Sequence, residues 1–361
     1  MPRNLGLDMF KGLAMGLVVL NHAVLWPMRD GDLVSAFAYG IAFGSAGVFV
    51  AITGYLYGAR GAGPRPSHDR VSPVLSTAVP RPDSALPAIK QRAPQLITPW
   101  LFWMPLYAVA PLLWRAVGGG ELPIAADPLS WAVTILLGGG PLWFLPVLFV
   151  ATSIVVWLDG RVASWWPAAG GVGVFAALAV GAGILGESPL SLLGGTFWAI
   201  LPIFVSGLWY GMRCARAEAA GAPYWARVPG WAAAAVMLAS MACGGAATVA
   251  RSLHPTALWL GWVPYAMALV GGVAALPLAV RIGAHYGGGR EPGRAARAIA
   301  LVGQASLGVY VLHPLVMGPL ALLAHGRGGV LVGVGIVVAT LAIETPLVRW
   351  ARGVPLLRRI V

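Results

Sequence analysis

Ten apolar runs divide the sequence, and each is about long enough to cross a lipid bilayer. A membrane-spanning helix needs roughly 20 mostly apolar residues, because lipid offers the backbone no hydrogen-bond partners outside the helix. By this length criterion, helices are expected near 9–28, 36–58, 94–115, 141–158, 165–185, 195–213, 229–250, 258–280, 299–321 and 329–348. The pattern predicts an all-α integral membrane protein with about ten transmembrane helices in a lipid bilayer.

The composition excludes most soluble classes. Of the 361 residues, 58% are hydrophobic and 10% are charged, whereas about 25% are charged in an average soluble domain. The net charge of +12 comes from basic residues in short loops, which favours membrane topology over a nucleic-acid partner. Cys214 and Cys243 are the only cysteines, so no disulfide framework is predicted. The first run is interpreted as a retained helix rather than a signal peptide.

The distribution of Lys and Arg predicts the orientation of the chain. With ten spans both termini lie on one side, and 20 of the 24 basic residues then fall on that same side. The four on the opposite side are Arg29, Arg115, Arg251 and Arg327. Because positive charge marks cytoplasmic loops, both termini are expected to be cytoplasmic.

Two connections are unusual in a chain that otherwise reads as one transmembrane domain over 1–361. Residues 59–92 contain six prolines and few apolar side chains, which is typical of a mobile loop, here a cytoplasmic one. Residues 128–143, "PLSWAVTILLGGGPLW", begin with an apolar stretch too short to cross a bilayer. This segment is predicted to be re-entrant or interfacial.

The first helix carries ionisable residues on one face. Lys11 and His22 are eleven residues apart, about 1100° of helical rotation, so they share a face to within about 20° and lie roughly 16 Å apart along the axis. Asp8 lies one turn before Lys11. Ionisable residues in a membrane are costly to place there and mark functional sites. The alternative is a neutral His22 that hydrogen-bonds a neighbouring helix as part of the packing.

A second deep histidine lies in the ninth run. Ser306 and Tyr310 precede His313 by seven and three residues and therefore share its face. Three interpretations stay open for this group: an acceptor-binding site, a partner for His22, or a structural hydrogen-bond cluster. Pro314 adds a structural reason for polar neighbours, because its missing N–H frees a carbonyl one turn earlier.

Glu344 lies near the expected cytoplasmic end of the tenth run, at about the level of Lys11. A charge pair with Lys11 or with an arginine is the favoured interpretation, and a structural one. No metal site is predicted, because His22 and His313 are the only histidines at membrane depth and zinc requires three or four protein ligands.

Several blocks in this order resemble the acyltransferase 3 family of membrane acyltransferases. "DMFKGLAMGLVVLNHA" is similar to the family's first helix, which has a basic residue, ten intervening positions and a histidine. Later blocks that are similar to the family are "GSAGVFVAITGYLYG", "KQRAPQLITPW", "PLWFLPVLF", "LVGQASLGVYVLHPLV" and "AIETPLVRW". Lysine at position 11 and the Leu-Trp-Phe-Leu block around Trp143 are nearest to the fucose O-acetylase-like subgroup.

The resemblance implies a multi-pass enzyme of the bacterial inner membrane that uses acyl-CoA, chiefly acetyl-CoA, as donor and a sugar or glycan as acceptor. His22 would be the catalytic base, and Lys11 and Arg92, or else Arg60 or Lys90, would bind the donor phosphates. The alternative for Arg92 is that it only adds to the positive charge of a cytoplasmic loop. His313, Ser306, Tyr310, Trp143, Glu344 and Asp8 are the further candidates for substrate binding or structure. The family often has a second arginine three residues after the first, where this chain has Gln95.

Two other functions compete with the enzyme. A glycan or lipid transporter or flippase would use His22 and His313 as an intramembrane proton relay, although no inverted repeat is evident. A non-catalytic scaffold or sensor would need only a satisfied buried histidine. No oligomeric state is predicted.

Overall fold

The computed structural model describes most of the chain as helix. The described residues are 4–25, 33–62, 85–116, 142, 144–157, 189–221, 223–254, 256–257, 260, 263–324, 330–355 and 357–361. They contain no β-strand, in agreement with the all-α prediction. The helices are α1 (Leu5–Leu25), α2 (Leu33–Phe43), α3 (Ser45–Ala62), α4 (Ala85–Ala116), α5 (Phe144–Trp157), α6 (Pro189–Ala219), α7 (Gly230–Leu253), α8 (Val263–Gly287), α9 (Arg294–Leu323) and α10 (Val330–Gly353).

Nine of the ten predicted spans overlap these helices, and 165–185 lies outside the described residues. Within the described part, five segments are long and apolar enough to cross a membrane: Leu33–Ala59, Gly230–Leu253, Val263–Gly287, Arg294–Ala321 and Leu331–Gly353. The chain is therefore a helical membrane protein with several spans.

One predicted boundary is wrong, and one predicted span is interrupted. The run 36–58 lies within a single candidate span, Leu33–Ala59, in which the chain turns at Gly44 between α2 and α3. Residues 59–62 and 85–92 are helical, so the long connection is shorter than 59–92. Residues 63–84 lie outside the described part, as does nearly all of the predicted re-entrant segment 128–143.

Glycines bring α3 and α6 into close contact. A Cβ added at Gly54 or Gly58 would collide with the backbone of Phe204 or Leu208, and one at Gly207 would collide with that of Ala51. Small residues let transmembrane helices approach closely enough for backbone contact. Around this pair lies a buried apolar cluster that includes Phe204, Ile52 and Leu276 of α8.

Glycines also bring the backbones of α1 and α9 into close contact. A Cβ on Gly12 would meet the carbonyl of Ile299, and one on Gly303 would meet the carbonyl of Asp8. His22 lies ten residues after Gly12, and His313 lies ten residues after Gly303. Because both helices rise equally per residue and run in the same direction, this contact sets the two histidines at one level.

Candidate active site

A cavity of about 330 Å³ is lined by residues of α1, α2, α3, α5, α6, α8 and α9. One face of α1 forms part of its wall. Lys11, Met15, Val18 and His22 all line it. Their spacing of four, three and four residues is that of a single helical face. Lys11 and His22, which the sequence placed on one face of the helix, therefore share one cavity, whereas Asp8 is not part of its lining.

The remaining lining is apolar with a few polar groups. Phe49, Phe144, Leu148 and Ile203 form part of the apolar wall. The polar side chains, besides Lys11 and His22, are those of Asn21, Tyr39, Ser45, Thr53, Tyr265, Ser306 and Tyr310. A mostly apolar pocket of a few hundred Å³ with a few convergent polar groups is typical of a small-molecule site.

Lys11 forms an ion pair with Asp8 at the end of the cavity that is remote from His22. Lys11 Nζ lies 3.0 Å from Asp8 Oδ1, and the two side chains are 23% and 5% exposed. An ammonium group has three N–H donors, so this contact leaves others for a second anion. Asp8 also lowers the net positive charge at this end of the cavity.

His22 contacts His313 across the α1–α9 interface. The ring centroids are 5.0 Å apart with the planes tilted by 41°. His22 faces the cavity, whereas His313 is completely buried and is not part of the cavity lining. His313 therefore lies behind His22 as seen from the cavity.

Pro314 explains the hydrogen bond of His313. The carbonyl of Tyr310 lies four residues before Pro314 and has no helical N–H to accept from, because proline lacks that donor. His313 Nδ1 donates to this carbonyl over 2.7 Å. A carbonyl oxygen only accepts hydrogen bonds, so Nδ1 carries the hydrogen, and Nε2 of the neutral ring holds a lone pair. Nε2 is buried and has no hydrogen-bond partner among the described residues.

Tyr310 and Ser306 line the cavity from α9. The Tyr310 hydroxyl oxygen accepts the N–H of Phe144 over 3.3 Å, at the start of α5. The Tyr310 and His313 rings lie 5.7 Å apart between centroids. On α4, the Tyr107 hydroxyl donates to the carbonyl of Val311. This part of α9 is thus held from two sides by hydrogen bonds.

Glu344 does not form the charge pair with Lys11 that the sequence analysis favoured. Its side chain is completely buried, and neither carboxylate oxygen has a hydrogen-bond partner in the described part of the chain. The predicted charge pair with Lys11 is wrong, because Lys11 bonds to Asp8, and no arginine side chain in the described part bonds to Glu344 either. Thr340 and Glu344 are one turn apart on the buried face of α10, which also carries Val348. The sequence predicted a charge pair for this residue and did not predict its complete burial.

Two predicted site residues are not placed relative to the cavity. Arg92 belongs to the helical backbone of α4, but its side chain is outside the described part, and Trp143 is outside it altogether. Gln95 is exposed and is not part of the cavity lining. Within the described ranges, no group of three or more His, Cys, Asp or Glu side chains could hold a metal ion.

Sequence reasoning missed several polar residues of the cavity. Asn21 donates its side-chain N–H to the carbonyl of Tyr39 over 3.4 Å, and Thr53 donates its hydroxyl to the carbonyl of Phe49 over 2.8 Å. Tyr265 enters from α8. Asn21 carried a usable signal, because it is a second polar residue next to His22 at membrane depth. Tyr39 and Tyr265 carried none, since tyrosine is common in membrane helices.

Comparison with known families identifies the chain by a match of nearly full length. The model of an acyltransferase domain, acyltransferase 3, matches residues 4–349. No curated protein and no solved structure gives a significant match. The matched region contains every residue described above around the cavity. The chain therefore belongs to the acyltransferase 3 family of membrane acyltransferases.

Proposed function

We propose that this protein transfers an acetyl or other short acyl group from cytoplasmic acyl-CoA to a hydroxyl group of a sugar, glycan or glycosylated metabolite. His22 is the general base, and Lys11 binds the donor. The observation that carries the proposal is the cavity shared by Lys11 and His22, with a cation at one end and an imidazole at the other.

The donor enters at the Lys11 end. A cavity of about 330 Å³ accepts the acyl group and the narrow pantetheine arm, while the larger nucleotide stays outside its mouth. Phosphates are bound by cationic side chains, and Lys11 holds such a charge at the cavity wall. Arg92 is the second candidate for the phosphates, on the basis of the family resemblance.

In the reaction at His22, the acyl group moves from the sulfur of acyl-CoA to the hydroxyl oxygen of the acceptor. The acceptor hydroxyl loses its proton to a ring nitrogen of His22, and its oxygen bonds to the thioester carbonyl carbon. The carbon–sulfur bond then breaks, and the coenzyme A thiolate takes the proton back from His22. Imidazole suits both steps because its ordinary pKa lies near neutral pH.

The acceptor is held by the polar groups near His22. Ser306 and Tyr310 line the cavity from α9, and the Tyr310 oxygen already accepts from Phe144 N–H, so its own proton remains to be donated. Hydroxyl groups of this kind hydrogen-bond sugar hydroxyls or an acyl carbonyl. The likeness to fucose O-acetylase-like sequences supports a carbohydrate acceptor.

Coenzyme A provides the first test. A ligand that binds only the folded state stabilises it by about 2.7 kcal/mol at one hundred times its Kd. We expect the melting temperature of the detergent-solubilised protein to rise with coenzyme A concentration. We also expect purified protein to release free coenzyme A from acetyl-CoA when methyl glycosides are supplied.

A transporter or a scaffold would behave differently in both assays. Neither needs a binding site for coenzyme A, and neither would cleave a thioester. No thermal shift together with no thioester cleavage would reject the acyltransferase proposal in favour of one of these functions.

A further inference from the structure

His313 has a fully buried imidazole ring. The proposed reaction, as described so far, does not use it. Its Nδ1–H is bonded to the Tyr310 carbonyl that Pro314 leaves vacant, and its Nε2 has no hydrogen-bond partner among the described residues. A buried acceptor without a partner is unfavourable, because it has lost its hydrogen bond to water and gained none in the protein. Such a group therefore calls for an explanation within the site.

We propose that His313 is a positioning residue for His22. In the reactive state, His313 Nε2 accepts a hydrogen bond from one ring nitrogen of His22, which leaves the other nitrogen as a base facing the cavity. This inference rests on the proposed function, because it gives His313 a role in the same acyl transfer.

The distance between the two rings suits this contact. A ring nitrogen lies about 1 Å from its centroid and an N–H···N contact spans about 3 Å, so two hydrogen-bonded imidazoles have centroids roughly 5 Å apart. The observed separation is 5.0 Å. The hydrogen bond itself is not formed here, and the proposal requires the His22 ring to turn so that one N–H points at His313 Nε2. Hydrogen bonds in catalytic sites often tighten only when the substrate is bound.

The tautomer of His313 is fixed by the fold. Pro314 vacates the Tyr310 carbonyl, the carbonyl binds Nδ1–H over 2.7 Å, and the lone pair is thereby confined to Nε2. The backbone contact at Gly12 and Gly303 holds the two helices in the register that brings this lone pair to the level of His22. These hydrogen bonds would orient the base as a buried carboxylate orients the histidine of a Ser-His-Asp triad.

The proton balance of the reaction is unchanged by this contact. The acceptor proton moves to the cavity-facing nitrogen of His22, whose second N–H stays bonded to His313 Nε2. The positive charge of the His22 imidazolium is stabilised by that lone pair, while His313 stays neutral. The proton then leaves from the cavity-facing nitrogen to the coenzyme A thiolate.

Two substitutions of nearly equal shape separate positioning from packing. His313→Gln keeps an acceptor for His22 and a donor for the Tyr310 carbonyl, whereas His313→Met keeps similar bulk and removes both. In a fully buried apolar site, a packing role favours Met, and a positioning role favours Gln. His313→Phe is the second apolar variant if His313→Met fails to fold.

The experiment measures coenzyme A release from acetyl-CoA with methyl glycosides as acceptors, together with coenzyme A binding. Removing a residue that orients a functional histidine typically costs 10–100-fold, so we expect His313→Met to lose that much kcat. KM for acetyl-CoA and coenzyme A affinity should stay within about twofold of wild type. His313→Gln should retain more than a tenth of wild-type kcat.

The outcomes separate the two proposals. If His313→Met or His313→Phe is as active as His313→Gln, the positioning role is wrong even though the enzyme works. If His22→Ala is as active as wild type, or wild type releases no coenzyme A, the proposed function itself fails. His22→Ala combined with His313→Met should be no slower than His22→Ala alone, because His313 acts only through His22.

Discussion

Neutralising Lys11 tests whether the cationic end of the cavity binds the donor. A charge-assisted hydrogen bond to phosphate contributes roughly 1.5–3 kcal/mol, and each 1.4 kcal/mol is a factor of ten in Kd. We therefore expect Lys11→Met to weaken coenzyme A binding by about ten- to a hundredfold. Lys11→Arg should retain more affinity, because a lysine that binds phosphate acts mainly as a point charge.

Neutralising Asp8 should have the opposite effect on coenzyme A binding. Its carboxylate lies 3.0 Å from Lys11 Nζ, so a phosphate bound to the same ammonium would sit about 5 Å from it, where like charges repel by roughly 3 kcal/mol at an effective dielectric constant near 20. Lys11 is 23% exposed, so solvent screening reduces this figure. We expect Asp8→Asn to tighten coenzyme A binding by at least about threefold.

The chain offers a matched control ion pair. Arg297 and Glu291 are 2.9 Å apart, with side chains 54% and 88% exposed, and neither residue lines the cavity. Arg297→Met and Glu291→Gln should leave coenzyme A affinity unchanged. Calorimetry on detergent-solubilised protein measures coenzyme A affinity in all five variants. Equal affinity in wild type and Lys11→Met would refute donor binding by Lys11.

Three further predictions concern packing, cavity volume and topology. Gly303→Val should push α9 away from α1 and lower both the melting temperature and acetyl transfer, since overpacking costs about 1–3 kcal/mol; Gly335→Val, whose Cβ would meet open space, should do neither. Val18→Phe should fill the cavity and reduce acetyl transfer, whereas Leu17→Phe, which faces a separate apolar groove, should have little effect. In intact cells, a cysteine introduced within 63–84 should resist membrane-impermeant thiol reagents, and one within 117–127 should react; the reverse pattern would contradict cytoplasmic termini.

The class of fold and the face of α1 that carries Lys11 and His22 were predictable from the sequence. Long apolar runs have few alternatives to helix in lipid, and helical periodicity alone places Lys11 and His22 on one face. The break at Gly44 was not predictable, because an apolar run of sufficient length gives no sign of where one helix ends inside it.

The environment of the histidines depended on contacts between distant helices. The sequence indicated that Pro314 frees a carbonyl, but not that His313 itself would bind it. Lys11 had two plausible acidic partners, and the nearer one in sequence, Asp8, is the one that it contacts. Tyr39 and Tyr265 reach the cavity only because α2 and α8 pack beside α1, which one sequence does not specify.

His22 is the residue on which the whole account depends, and one variant tests it. In His22→Ala, acetyl transfer from acetyl-CoA to methyl glycosides should fall by about 10²–10⁴-fold, the usual cost of losing a general base. Coenzyme A affinity should stay at the wild-type value if, as we propose, the imidazole acts on the acceptor hydroxyl and Lys11 binds the donor. More than a tenth of wild-type transfer activity in His22→Ala would contradict the assignment of His22 as the base.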